Sequence, residues 1–258
     1  MEINSFSPQD IGAYYDRHSE SYLSTYGDTL QAFRPKEERD LHQYLIQQIG
    51  IEDGQRILDA GCGIAGPAIS FAKQKQVEIE GITISSVQLH TANSRIKEAR
   101  LLGSVHVRQG DYHKLKDHYQ VGSFDAILFL EALGHSHDPD KVIKDCFDLL
   151  KKGGVIYIKD FYPLQIADNG KRHRVEKVIG RVNQHYLYNT LDLNNTITSL
   201  REAGFEIDFI SKFRFSDDIS ARSAFESANQ IDLYEGQPEF RIAEWLEIKC
   251  KKPEFGLF

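Results

Sequence analysis

The 258-residue sequence predicts an α/β fold in which a parallel sheet is covered by helices. Three observations lead there. The run RILDA at 56–60 is an apolar strand that enters a glycine turn, Gly61, Gly63 and Gly66, and continues into the helical run PAISFAKQK. Short apolar runs then alternate with amphipathic stretches as far as residue 160, which is the rhythm of strand–helix–strand units. Finally, 41% hydrophobic residues over this length suffice for one substantial core, so a single domain with an accessory lid is expected.

Taken in order, residues 1–35 are polar and aromatic, with Tyr14, Tyr15, Tyr22 and Tyr26 at irregular helical spacing. They read either as a helix pair docked on the domain or as an aromatic cap over a ligand. Pro35 opens a helix through Gln48, with Leu41, Tyr44, Leu45 and Ile49 on one face. VEIEGITIS (77–85) is a second buried strand, and the stretch after it is a crossover helix ending at Gly103. VHVRQGD (105–111), FDAILFL (124–130) and GVIYIKD (154–160) supply three more strands. Asp138 caps the helix between the last two. From Phe161 the character changes: Lys171, Arg172, Arg174, Lys177 and Arg181 are opposed by a single Glu176. An amphipathic helix stopped by Gly204, the strand run FEIDFISKF, a polar helix around 218–235 and the strand run FRIAEWLEIKC complete the chain.

The charge balance, 31 basic against 38 acidic residues, gives −7 and does not favour a nucleic-acid partner. Cys62, Cys146 and Cys250 form no C-x-x-C pair, which argues for reduced thiols, a cytoplasmic setting and no zinc site. MEINSFSPQD lacks a signal pattern, and no run approaches the ~20 apolar residues of a membrane span.

The glycine turn, G-C-G-I-A-G, matches the dinucleotide fingerprint G-x-G-x-x-G, a weak signal by itself. Asp59 narrows it. A carboxylate two residues before the first glycine repels a pyrophosphate but suits a ligand carrying an ammonium group beside a carboxylate. Asp59, Gly61 and Gly63 thus resemble motif I, D-x-G-x-G, of the class I S-adenosylmethionine-dependent methyltransferases. The resemblance implies a Rossmann-like class I methyltransferase fold: a mostly parallel sheet with a terminal antiparallel strand, helices on both faces, an N-terminal helical cap (1–50), a cofactor-binding core (51–160), a substrate lid after strand 5 (161–190) and a C-terminal part of the sheet (191–258). It implies S-adenosyl-L-methionine as cofactor and no metal. The acid that usually grips the ribose is replaced by Thr83, and Glu80 should point to the other side of the sheet. Ser85 and Gln88 remain for that role. GITISxxQ resembles a branch with small-molecule sugar O-methyltransferases and geranyl diphosphate and sterol C-methyltransferases, in which this glutamine contacts the ribose; an exposed helix residue is the plainer reading. Gly110, Asp111 and Tyr112 end the third strand as adenine recognition would require, although Asp111 also suits a simple turn. Leu130 closes the cofactor list.

Four features bear on the methyl acceptor. Glu131 follows the apolar fourth strand, and the matching glutamate of isoprenoid C-methyltransferases faces the reacting alkene, where a carboxylate stabilises a carbocation and helps remove its proton. Holding the cofactor loop is its structural alternative. His135 and Asp160 match the base pair of the sugar O-methyltransferases, or else are loop-start hydrogen-bonding residues. The stretch Tyr22–Gly27 resembles the aromatic string of sterol C-methyltransferases, which makes Tyr15, Tyr22 and Tyr26 substrate-binding candidates. Arg172, Arg174 and Arg181, with His185 and Tyr186 in a string resembling the geranyl diphosphate C-methyltransferases, read either as a solvated helix face or as a clamp for a diphosphate. The expected partner is a small molecule of secondary metabolism, an isoprenoid and anionic if the clamp exists. The expected activity is C-methylation of an isoprenoid alkene of the prenyl diphosphate type, with Glu131 as cation stabiliser and the basic lid as anionic anchor; O-methylation of a hydroxyl on a natural product or sugar, with His135 and Asp160 as base, is the alternative. A homo-oligomer is compatible with the sequence.

Overall fold

The computed structural model describes residues 6–35, 37–237 and 239–254. The first five residues of the N-terminal stretch that lacks a signal pattern lie outside them.

Seven strands form one sheet in the order β3-β2-β1-β4-β5-β7-β6. β1 (Arg56–Ala60), β2 (Glu78–Thr83), β3 (Val105–Gln109), β4 (Phe124–Leu130) and β5 (Leu150–Pro163) pair in parallel. β7 (Ala243–Lys251) inserts antiparallel between β5 and β6 (Glu206–Lys212). Period-two alternation sorts the core. Ile57, Ala126 and Leu128 join one apolar cluster with α2 (Glu38–Ile49) and α3 (Gly66–Gln74). Leu58, Ile127 and Phe129 join the other with α5 (Pro139–Leu149) and α7 (Leu193–Ala203). Helices therefore cover both faces.

Local chemistry sets the element ends. α1 (Pro8–Tyr26) starts with a capping box between Ser7 and Asp10, and α5 is capped by the Asp138 side chain. α7 stops at Gly204 in the left-handed conformation. Several boundaries differ from expectation. α2 begins at Glu38 rather than Pro35, because residues 31–34 are held as a loop by side chains from the sheet and by the Tyr26 carbonyl. α4 (Ser86–Glu98) ends before Gly103. β5 is longer than 154–160 because β7 pairs with it from Val155 to Pro163. α8 (Ser220–Ala228) is shorter than the polar helix read from 218–235. Residues 161–190 contain α6 (Asn169–Tyr186).

The loop before α2 crosses the glycine turn closely. A Cβ on Gly66 would lie 1.8 Å from the Asp28 carbonyl oxygen, whereas one on Gly180, exposed in α6, would meet nothing within 4 Å. Gly66→Ala is expected to cost at least about 1–3 kcal/mol in urea unfolding, from overpacking against backbone. Gly180→Ala is expected to stabilise by about 1 kcal/mol, the helix-propensity difference. Equal effects from the two substitutions would contradict the close crossing.

Candidate functional site

The site lies at the carboxyl ends of β1, β2, β4 and β5, where an open α/β sheet forms its ligand crevice. At the end of β1 the chain turns through Gly61 (φ +89°) and Gly63 (φ +53°). A Cβ on Gly61 would stand 2.5 Å from the Ala132 Cβ, so the turn needs glycine where it passes the segment after β4. Asp59 is 2% exposed, and among the described residues its Oδ2 has no hydrogen-bond partner. Burial pushes its pKa up to about 7. An unpaired buried carboxylate oxygen in a 40 Å³ pocket walled by Gly61 and Gly63 fits a ligand's ammonium group, as the S-adenosylmethionine reading requires.

An adjoining cavity of about 90 Å³ shares Gly61, Gly63 and Leu130 with that pocket and continues past Thr83, Gln88, Gly110, Asp111 and Tyr112. Pro8, Ile11 and Tyr15 of α1 cover it. Gln88 is buried, not an exposed helix residue, and accepts a hydrogen bond from the Thr83 hydroxyl at 2.9 Å. Ser85 does not line the cavity. It caps α4, and its hydroxyl donates to Asp16 of α1 at 2.5 Å. Asp16 also accepts from Val87 N at 3.1 Å, so a carboxylate from the N-terminal helix sits on the positive end of α4. Asp111 Oδ1 accepts from His113 N at 2.9 Å and is 2.6 Å from His113 Nδ1, while His113 Nε2 meets Ser136 Oγ at 2.8 Å. This chain fixes the Asp111 carboxylate at the cavity wall. Tyr112 Oη donates to Ala132 O at 3.1 Å, which holds its ring on the wall. Glu80 faces Arg56 and Arg108, away from the cavity, as expected.

Glu131 sits in the left-handed region (φ +61°), an uncommon state for a residue with a side chain. Its Oε1 pairs with Lys159, which is fully buried at the end of β5, and its Oε2 accepts from Ala32 N at 2.7 Å. Lys159 Nζ also donates to Gln31 Oε1 at 2.6 Å and to Phe33 O at 3.2 Å, and it lies 4.1 Å from the Phe213 ring centroid. Burial lowers the Lys159 pKa, with Glu131 opposing. Both Glu131 oxygens therefore hold the 31–33 loop and its lysine.

A second cavity of about 310 Å³ lies beyond this pair. Tyr15, Tyr22 and Tyr26 of α1, Tyr186 of α6, Phe161 and Trp245 give it an aromatic wall. Tyr15, Leu30 and Glu131 line both cavities, so the two meet there. At the junction Tyr15 Oη is 2.8 Å from His135 Nε2, and His135 Nδ1 is 3.0 Å from the Leu187 carbonyl. The carbonyl only accepts, so Nδ1 carries the proton and Nε2 accepts from Tyr15. Burial pushes the His135 pKa down to about 4, so the ring is neutral at pH 7.

Three groups of expected site residues lie away from the two cavities. Asp160 is fully buried, lines neither cavity, and accepts from Gly134 N at 3.0 Å and Phe161 N at 2.9 Å, which anchors the loop after β4. The arginines expected to clamp a diphosphate are engaged within the protein. Arg172 donates to the Ile166 and Ala167 carbonyls, Arg174 to Gln237, and Arg181 to Glu235, and none of them lines the aromatic cavity. His185 packs edge-on against Tyr186 and lies outside that cavity's wall. The sequence reading also missed Lys159, Asp16, Trp245, Arg222 and Glu226. A lysine inside an apolar strand was the one available signal, since a buried lysine needs a partner.

Residues 51–198 match the family model described as a methyltransferase domain. The 27-O-demethylrifamycin SV methyltransferase of Amycolatopsis mediterranei is 30% identical over 210 residues, 78% of this chain and 75% of that protein. The sterol 24-C-methyltransferase of Aspergillus fumigatus is 26% identical over 201 residues, 75% of this chain and 53% of that protein. The chain thus spans about half the length of the fungal sterol methyltransferases it resembles. In fold, the geranyl diphosphate C-methyltransferase of Streptomyces coelicolor A3(2), solved with Mg2+, geranyl diphosphate and S-adenosyl-L-homocysteine, superposes with a TM-score of 0.75 at 15% identity, covering 98% of this chain and 100% of that one.

Asp59 yields a titration test. With its pKa near 7, the carboxyl is neutral at lower pH and must lose a proton before pairing with an ammonium group. Binding of S-adenosylhomocysteine, followed by calorimetry, is expected to weaken by up to about tenfold per unit as pH falls below 7, with proton release. Asp59→Asn is expected to bind weakly and without this dependence. A flat wild-type profile from pH 5.5 to 7 would contradict the assignment.

Proposed function

The chain belongs to the methyltransferase-domain family, and from that premise we propose that it transfers a methyl group from S-adenosyl-L-methionine to an alkene carbon of an isoprenoid. The observation that carries the acceptor class is the aromatic cavity, which meets the cofactor cleft at Tyr15, Leu30 and Glu131. When bound, the cofactor supplies an electrophilic methyl on a sulfonium. Asp59 would hold its ammonium end, Gln88 its ribose, and Asp111 with Tyr112 its adenine. The protein's own work is positioning, water exclusion and stabilisation of charge on the acceptor. Alkene methylation leaves a carbocation, and ring faces of the kind supplied by Tyr22, Tyr26, Phe161 and Trp245 attract a cation by about 0.5–2 kcal/mol each.

The cavity's charge disfavours a diphosphate in it. Arg222 and Arg241 stand on the wall with Glu131, Asp217, Glu226 and Glu239, and the cationic Lys159 is already joined to Glu131. An uncharged isoprenoid tail suits that balance better than a polyanion. The runner-up, O-methylation, has one observation in its favour, the Tyr15–His135 pair at the junction. A hydroxyl acceptor taking the place of Tyr15 would find a neutral imidazole nitrogen as base.

A labelled-methyl screen of sterols, prenyl alcohols, short prenyl diphosphates and glycosylated aromatics, read by mass spectrometry, separates these readings. Label on carbon of a sterol or prenyl alcohol, with His135→Ala keeping at least a tenth of the rate, is the expected result. Label on oxygen, lost in His135→Ala while S-adenosylhomocysteine binding persists, would replace the first reading by the second.

A further inference from the structure

We propose that Glu226, on α8, is the carboxylate that takes the proton when the methylated cation re-forms its double bond, an assignment resting on the C-methylation reading above. Among the described residues the aromatic cavity has four carboxylates on its wall, Glu131, Asp217, Glu226 and Glu239. Glu131 is committed at both oxygens, to Lys159 and to Ala32 N; protonating it would leave a buried lysine without its counter-charge. Asp217 is exposed at the mouth and paired with Lys212 at 2.9 Å, and Glu239 is exposed. Glu226 is buried like Glu131, 6% exposed, but has no lysine joined to it among the described residues. Among the described residues its carboxylate has one ionic partner, Arg222 Nε at 3.8 Å, beyond hydrogen-bond length.

Glu226 is also close to the aromatic wall. Its charge raises the pKa values of Tyr26 and Tyr186, two cavity phenols, after burial has done most of that work. α8 is fixed against α1 by Phe225, which stacks on Tyr22 at 4.5 Å between centroids. Burial raises the Glu226 pKa, more than Arg222 lowers it, and so makes the carboxylate a stronger base than an exposed glutamate.

The step balances within the site. The alkene π pair forms the new C–C bond to the methyl as the S–C bond breaks, its electron pair staying on sulfur. The cation left on the neighbouring carbon loses an adjacent proton. That C–H pair closes the new double bond, and the proton bonds to a Glu226 oxygen before passing to solvent. No oxidant or further reactant enters.

The test uses the single tryptophan, Trp245, whose ring lines the same cavity. With S-adenosylhomocysteine present, its fluorescence reports binding of geranyldimethylammonium, a stable cation, and of the uncharged isostere with carbon in place of nitrogen. Wild-type protein is expected to prefer the cation by at least tenfold. Glu226→Gln is expected to lose most of that preference, and Glu226→Asp to keep part of it, with S-adenosylhomocysteine affinity unchanged in both. An undiminished preference in Glu226→Gln would overturn the assignment and leave the C-methylation reading standing. No preference in wild type would overturn that reading itself. With an alkene accepted in the screen, Glu226→Gln is expected to divert product from the methylated alkene to the alcohol formed by water capture of the cation; an unchanged product ratio would count against Glu226.

Discussion

The pairing of Glu131 with Lys159 is the contact on which the rest of the site depends. Both charges lie in the interior: Glu131 follows β4 and lines both the cofactor cleft and the aromatic cavity, and Lys159 of β5 is joined to it. Taking one partner from such a pair typically costs about 3–5 kcal/mol, because the other is left buried and uncompensated. The surroundings reduce that risk by saturating both groups. Glu131 receives Ala32 N, its own N–H donates to Lys159 O at 2.7 Å, and its carbonyl accepts from Tyr188 Oη at 2.9 Å. Lys159 donates to Gln31 and Phe33 and faces the ring of Phe213. One ion pair thus joins β4, β5, the 31–33 loop and the segment after α6.

That loop links the pair to the cofactor side. It continues back through Leu30 and Asp28 to the glycine turn, where only glycine at 66 leaves room for the Asp28 carbonyl. The other end of the N-terminal region is held separately, by Asp16 on the start of α4 and by Tyr22 on Phe225. α1 therefore spans both cavities, covering the cofactor cleft with Ile11 and Tyr15 and the aromatic cavity with Tyr22 and Tyr26. A glycine-built cleft and an aromatic, acid-bearing cavity thus share one wall at Tyr15, Leu30 and Glu131, and buried charge holds that wall.

Much of this was legible in the sequence because it depends on local patterns. The strand–glycine–helix run, the alternation of strands and helices, and the caps at Asp138 and Gly204 are all short-range signals, and the sheet built from them has the expected parallel body and antiparallel end. The cofactor candidates Asp59, Gly61, Gly63, Thr83, Gln88, Gly110, Asp111, Tyr112 and Leu130 come together at one crevice because each ends a strand or opens the loop after it. Long-range partners were not legible. The basic run on α6 reads as a clamp until residues 233–237 arrive beside it, with Glu235 taking Lys177 and Arg181. Asp160 and Lys159 are neighbours in one string, yet strand alternation sends them to different partners, the lysine to Glu131 and the aspartate to Gly134 N. Glu226 lay in a polar helix with no pattern to distinguish it.

The central claim is that Glu131 and Lys159 act as one unit, and a double-mutant cycle tests it most directly. Unfolding free energies and S-adenosylhomocysteine affinities would be measured for wild type, Glu131→Gln, Lys159→Met and the double variant. Lys159→Met alone is expected to lose about 3–5 kcal/mol, and the double variant to recover a substantial part of the summed loss, since neither charge is then stranded. Losses that simply add, with coupling below about 0.5 kcal/mol, would contradict the claim.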